Sequence, residues 1–100
     1  MSNIKVMVRF YPKSKSSLPS LNYRVHFVVN SDDEYLGVEF LELDVEEYGV
    51  LGKALVKPLY DNVGYHKLVK GVHFNIVEGS TLVGEGEVLE WFVNFNLSPS

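Results

Sequence analysis

Residues 72–88 read Val-His-Phe-Asn-Ile-Val-Glu-Gly-Ser-Thr-Leu-Val-Gly-Glu-Gly-Glu-Val. Val72, Phe74 and Ile76 alternate with His73, Asn75 and Val77, a period of two that turns one apolar face inward along an extended strand. Glu78-Gly79-Ser80 then separates this run from the next at hairpin spacing. The same alternation recurs upstream in Ile4, Val6, Val8 and Phe10, in Tyr23, Val25, Phe27 and Val29, and in Leu36, Val38 and Phe40. β-Branched and aromatic residues dominate all of these runs, as a half-buried pleated surface favours.

Between the runs the turn chemistry changes. Pro12 to Ser20 is rich in Ser, Lys and Pro and reads as a loop, and Asn30-Ser31-Asp32-Asp33 reads as a tight connection. Asp44 stands three residues before Glu47 with Gly49 following, a capping-box spacing that predicts one helical turn over 44–49. No helix of three turns is predicted. Leu89–Phe95 is apolar on both sides, which reads as a strand covered on both faces or as an interaction surface. Short strands at this spacing predict an all-β antiparallel sandwich or small closed barrel, in a single domain over 1–100 with 93–100 as a C-terminal extension.

Composition bounds the function. The chain has 100 residues, 46% of them hydrophobic and 22% charged, which suits one globular domain with a modest core. It has no cysteine, which removes disulfides, thiolate catalysis and cysteine metal sites. The net charge of −4 disfavours bulk attraction to nucleic acid or to an anionic membrane. Met-Ser-Asn-Ile-Lys-Val lacks a signal-peptide layout and no apolar run suits a membrane helix, so the expectation is a cytoplasmic protein without a membrane partner. Charge is sorted into blocks: Lys5 to Arg24 are basic, Asp32 to Glu47 acidic, Lys53 to Lys70 basic again with one acid, and Glu78 to Glu90 acidic. Folding is expected to interleave these blocks.

Catalytic constellations are sparse. There is no phosphate-binding Gly-rich loop ending in Lys-Ser or Lys-Thr. Gly84-Glu85-Gly86 lacks the third glycine and the helix of a dinucleotide site. His26, His66 and His73 show no metal-ligand spacing. His26 and His73 fall on outward strand faces, where they approach one another only if their strands are neighbours. Glu85 and Glu87 share one face of one strand, about 7 Å apart, a separation that suits a hydrolase but comes without a cleft signal. The serines of the loop have no histidine or acid placed to activate them. Asn96-Leu97-Ser98 matches a glycosylation triplet, but Pro99 follows and no secretion signal precedes it.

Ile76-Val77-Glu78-Gly79-Ser80-Thr81-Leu82-Val83-Gly84-Glu85-Gly86-Glu87-Val88, with Phe74 two residues before it, resembles the last hairpin of elongation factor Tu. Tyr23-Arg24-Val25-His26-Phe27 and Val56-Lys57-Pro58 are similar to two further segments of that family, in family order. Together the matches span most of residues 4–92 and resemble the factor's C-terminal barrel. The resemblance implies a small six-stranded antiparallel closed Greek-key barrel. Its glycines let a neighbouring backbone approach and allow a bend at a barrel corner. The family's GTPase lies in another domain, so the resemblance implies no GTP. The family barrel meets other domains, an exchange factor and the backbone of aminoacyl-tRNA, and the matching positions for RNA contact are His26, Lys57, Glu78 and Gly79. Arg24 matches a position that supports the barrel or an interdomain contact.

The departures weigh against RNA. Thr81 stands where the family has a basic residue, Glu85 and Glu87 add negative charge nearby, and Tyr35 or Leu36 falls near the family's RNA-contacting threonine. About seven extra residues lie between Pro58 and Gly71, and the chain runs on as Val93-Asn94-Phe95-Asn96-Leu97. The expectation is therefore a non-enzymatic, free-standing barrel, without cofactor or metal, that binds a protein partner or itself. Its expected interface is the apolar end of the chain, with Phe92, Phe95 and Leu97 as candidates. Binding of structured RNA such as tRNA is the alternative, and a small hydrolase the remote one.

Overall fold

The computed structural model of the protein describes residues 2–12, 22–29, 34–60 and 63–93. Six strands form: β1 (Ser2–Phe10), β2 (Arg24–Val29), β3 (Leu36–Asp44), β4 (Gly52–Pro58), β5 (His73–Glu78) and β6 (Thr81–Val93). They close into an antiparallel barrel in the order β1-β4-β3-β2-β5-β6, with β6 pairing back onto β1. The consecutive neighbours β2, β3 and β4 with β1 beside β4 make a Greek key. Closure gives each of the six described strands a neighbour on both sides.

The period-two pattern explains the interior. Ile4, Val6, Val8, Phe10, Val25, Phe27, Leu36, Val38, Phe40, Phe74 and Ile76 are all buried. Aromatic rings knit the strands together: Phe27 stacks on Phe74 with centroids 3.9 Å apart, and Phe40 lies within 6.3 Å of Phe27, Phe10 and Tyr23. The interior is thus filled by side chains.

Three irregularities let the strands bend. The register slips between Lys5 and Val6, between Phe40 and Glu42, and between Ile76 and Val77. The last slip buries both Ile76 and Val77, so Val77 departs from strict alternation. Gly84 and Gly86 face inward where β1 comes close. A Cβ at Gly84 would lie 2.5 Å from the Arg9 carbonyl oxygen, and one at Gly86 would strike the Met7 carbonyl and sit 2.6 Å from Phe74 Cζ. Glycine at these two positions is a steric requirement of closure. Gly79, at φ 64°, takes the first central place of the two-residue turn that pairs Glu78 with Thr81.

The helical turn forms elsewhere than the capping-box spacing predicts. Asp44 is instead the last residue of β3, paired with Lys53, and 47–50 make the turn into β4, with Gly49 at φ 80°. A 3-10 helix forms at Val63–Lys67, between β4 and β5. Tyr65 and Leu68 from this connection are buried. The Tyr65 hydroxyl donates to the Gly37 carbonyl at 2.5 Å, Lys67 Nζ meets Glu34 at 2.8 Å, and the Gly71 amide donates to the Val88 carbonyl at 2.8 Å. The connection therefore ties β3 to β6 across the barrel end where β4 finishes. Pro12 lies before the described gap; the rest of the predicted Pro12–Ser20 loop, the Asn30–Asp33 connection, Asn96, Phe95 and Leu97 lie outside the described residues.

Candidate interaction surface

Because side chains alternate, the residues turned away from the core form columns on the outer wall. On β6 these are Glu85, Glu87, Glu90 and Phe92; on β1, Asn3, Lys5, Met7 and Arg9; on β4, Lys53, Leu55 and Lys57; on β3, Glu39, Glu42 and Asp44. The register sets them in rows: Glu90 beside Lys5, then Leu55, then Glu42, and in the next row Glu87, Met7, Lys53 and Asp44. Strands β6, β1, β4 and β3 thus present an acidic, a basic, a basic and an acidic stripe in that order. These are the charge blocks of the sequence, interleaved by the two crossover connections.

Ion pairs join stripes. The Arg9 guanidinium pairs with the Glu85 carboxylate across the β1–β6 seam and holds that carboxyl below the usual range. Burial, with Glu85 nearby, raises the Tyr11 phenol. Arg24 Nε lies 3.3 Å from Glu39, the one buried charged residue among the described residues, whose carboxylate needs that partner. Lys57 stands opposite Glu39 on the other side.

Phe92 interrupts the acidic stripe. It is 42% exposed and stands opposite Asn3 near the end of β6. With Leu55 it lines a shallow groove of about 280 Å³, bordered by Lys5, Lys53, Glu42 and Asp44. The preceding residue, Trp91, points to the other side. Its indole N–H donates to the Leu68 carbonyl at 2.5 Å, its ring packs against the core, and it lines a second hollow with Tyr65, His66 and Val69. Leu89–Phe95 is therefore split within its described part: Trp91 is anchored and Phe92 is presented.

Of the four positions matched to RNA contact, Lys57 belongs to the β4 column just described, while His26 is on β2 and Glu78 and Gly79 are at the β5–β6 turn. His26 pairs with Val77 on β5 and Gly37 on β3, and its ring meets Tyr35 edge-on at 5.6 Å. Lys57 lies two strands away and two residues along, about 12 Å by strand spacing and rise. Glu78 accepts a 2.7 Å hydrogen bond from the Tyr23 hydroxyl, and burial together with that bond pushes the Tyr23 phenol up. Gly79 sits in the turn just beyond. The four do not gather on one face: β4, which carries Lys57, stands three strands from β5 and its Glu78-Gly79 turn in the six-strand ring, and Glu39 lies between the cations Arg24 and Lys57.

The pairs weighed for acid–base chemistry do not converge. β2 and β5 are neighbours, but His26 pairs with Val77, four residues from His73, which separates the two histidines by about 13 Å along the strand. His73 Nε2 lies 3.8 Å from Glu87, whereas Glu85 is engaged with Arg9. His66 is exposed on the 3-10 helix. Among the described residues no group of three or more His, Asp or Glu side chains is placed to hold a metal ion, and no helix is long and apolar enough to cross a membrane.

Leu55 and its charged border escape sequence reasoning. Lys5, Lys53, Glu42 and Asp44 lie in separate runs, and only the strand order makes them neighbours of Phe92. The one signal is the recurrence of charge at alternate positions of two acidic and two basic runs. No family model and no curated protein matches the chain.

Proposed function

We propose that the protein is a non-enzymatic binding module that meets a protein partner on the outer wall around Phe92. The observation that carries this reading is the placement of Phe92: a large apolar ring, 42% exposed on a closed barrel, set beside Leu55 in a groove with charges of both signs. An apolar centre with a charged border is the anatomy of a protein–protein contact. With each described strand paired on both sides, recognition falls to side chains of the wall.

Structured RNA is the second reading, favoured by the place of His26, which pairs with Val77 beside the Glu78-Gly79 turn. Glu39 counts against it, because a carboxylate between Arg24 and Lys57 offsets the attraction for phosphate.

Photo-crosslinking separates the two. Benzoylphenylalanine replaces Phe92 in one chain and His26 in another, and both are irradiated in cells. A defined protein adduct from position 92, with none at position 26, is expected. An RNA adduct from position 26 with nothing from position 92 overturns the reading.

A further inference from the structure

The striped wall specifies which partner fits it. We infer that the partner of the Phe92 surface is a second copy of this chain, docked about a two-fold axis that runs along the β1–β6 seam parallel to the strands. This rests on the reading of that wall as a protein-binding surface.

The inference comes from charge complementarity. In a two-fold contact each surface meets itself, so a patch must be its own complement. An axis parallel to the strands keeps rows in register and exchanges columns on either side of it. Placed on the seam between β1 and β6, it lays the basic stripe of one copy on the acidic stripe of the other. Lys5 faces the second copy's Glu90 and Arg9 its Glu85, each twice, because these residues share rows in the register. Placed between β1 and β4, the same axis lays basic on basic. An axis across the strands lays every column on itself. Like charges set opposite one another disfavour both of those arrangements.

Phe92 selects between the two seams that satisfy the charges. The β3–β4 seam also joins an acidic to a basic stripe, but β4 and β1 separate an axis there from β6, so Phe92 lies at the margin of the contact and stays uncovered. On the β1–β6 seam Phe92 shares a row with the neutral Asn3, so the two symmetry-related rings flank the axis and each is covered by uncharged neighbours. Met7 faces the second copy's Glu87 in this arrangement, as Leu55 would face Glu42 on the other seam, so the coverage of Phe92 is what separates the two.

The test is sedimentation equilibrium on the whole chain, with circular dichroism to establish that each variant is folded. The wild type is expected to be a reversible dimer. Lys5→Glu makes both columns of the seam acidic in that row, and Glu90→Lys makes both basic. Each alone is expected to raise the dissociation constant about tenfold, as a handful of exposed charge contacts reversed in sign would do. Mixed in equal amounts, the K5E and E90K chains are expected to form a heterodimer at least as tight as the wild type. That outcome has no explanation in pairing within one chain. Phe92→Ser is expected to give a monomer. A wild type that stays monomeric at its solubility limit, or a dimer that none of these substitutions weakens, overturns the inference. A monomeric wild type that still gives an adduct to a different protein from position 92 overturns the second copy alone. An RNA adduct from position 26 with none from position 92 overturns the protein-binding reading as well.

Discussion

From Thr81 to Val88, β6 turns Val83, Gly84, Gly86 and Val88 toward the interior; from Leu89 to Val93 it holds Trp91 against the core and leaves Phe92 outside. Both halves pair with β1. In the first half, side-chain volume is excluded, because the β1 carbonyls of Arg9 and Met7 and the ring of Phe74 occupy the space a Cβ would need. In the second half, past the register slip opposite Lys5 and Val6, volume is added on both sides of the strand. One strand thus closes the barrel along its first half and holds an exposed apolar ring along its second, with a bulge as the boundary.

Substitutions break this contrast unequally. Gly86→Val places a branched side chain against the Met7 carbonyl and Phe74, and is expected to cost about 3 kcal/mol or more. Urea unfolding measures it, and a midpoint close to wild type contradicts the steric account. Trp91→Phe keeps an aromatic ring but removes the donor to Leu68 and part of the indole's packing, for an expected loss of about 1 kcal/mol or more; an unchanged midpoint assigns that bond no weight.

The effect of Glu85 depends on pH. Its carboxyl is held low in the folded protein by Arg9, so the pair stabilises the fold above the unfolded carboxyl's ordinary range, and the benefit is lost as pH falls through the folded value. The urea midpoints of wild type and Glu85→Gln should therefore differ near neutral pH and converge on acidification. Convergence on raising the pH would reverse the sign and refute the pairing. Smallest of all on stability is Phe92→Ser, expected to cost no more than about 1 kcal/mol because the ring is 42% exposed in the monomer. A large loss in dilute solution would make Phe92 a core residue and end its role as an interface.

Much of the barrel is legible in the chain. Ile4 to Phe10 and Tyr23 to Val29 turn inward as their alternation predicts, and the Glu78-Gly79-Ser80 turn lies where its residues place it. The predicted helical turn at Asp44 fails because the β3–β4 hairpin claims that backbone: Asp44 pairs with Lys53. The 3-10 helix that does form lacks a capping signal; Lys67 meets Glu34 and Tyr65 meets Gly37, partners 28 residues or more away. The surface is legible only in part. Phe92 stands out in an apolar run, but Leu55 and Lys5 become its neighbours through crossovers that local periodicity does not encode. The charge blocks are visible in the chain, whereas their order around the barrel requires the fold.

On this reading the β1–β6 wall is where the protein meets its partner. Amide NMR spectra recorded over a dilution series, and again with tRNA added at low salt, test it most directly. Concentration-dependent shifts confined to Asn3–Arg9 and Glu85–Phe92, with Arg24, His26, Lys57 and Gly79 unmoved by tRNA, are the predicted result. Spectra that do not change on dilution, with shifts at Arg24, His26, Lys57 and Gly79 when tRNA is added, would contradict it.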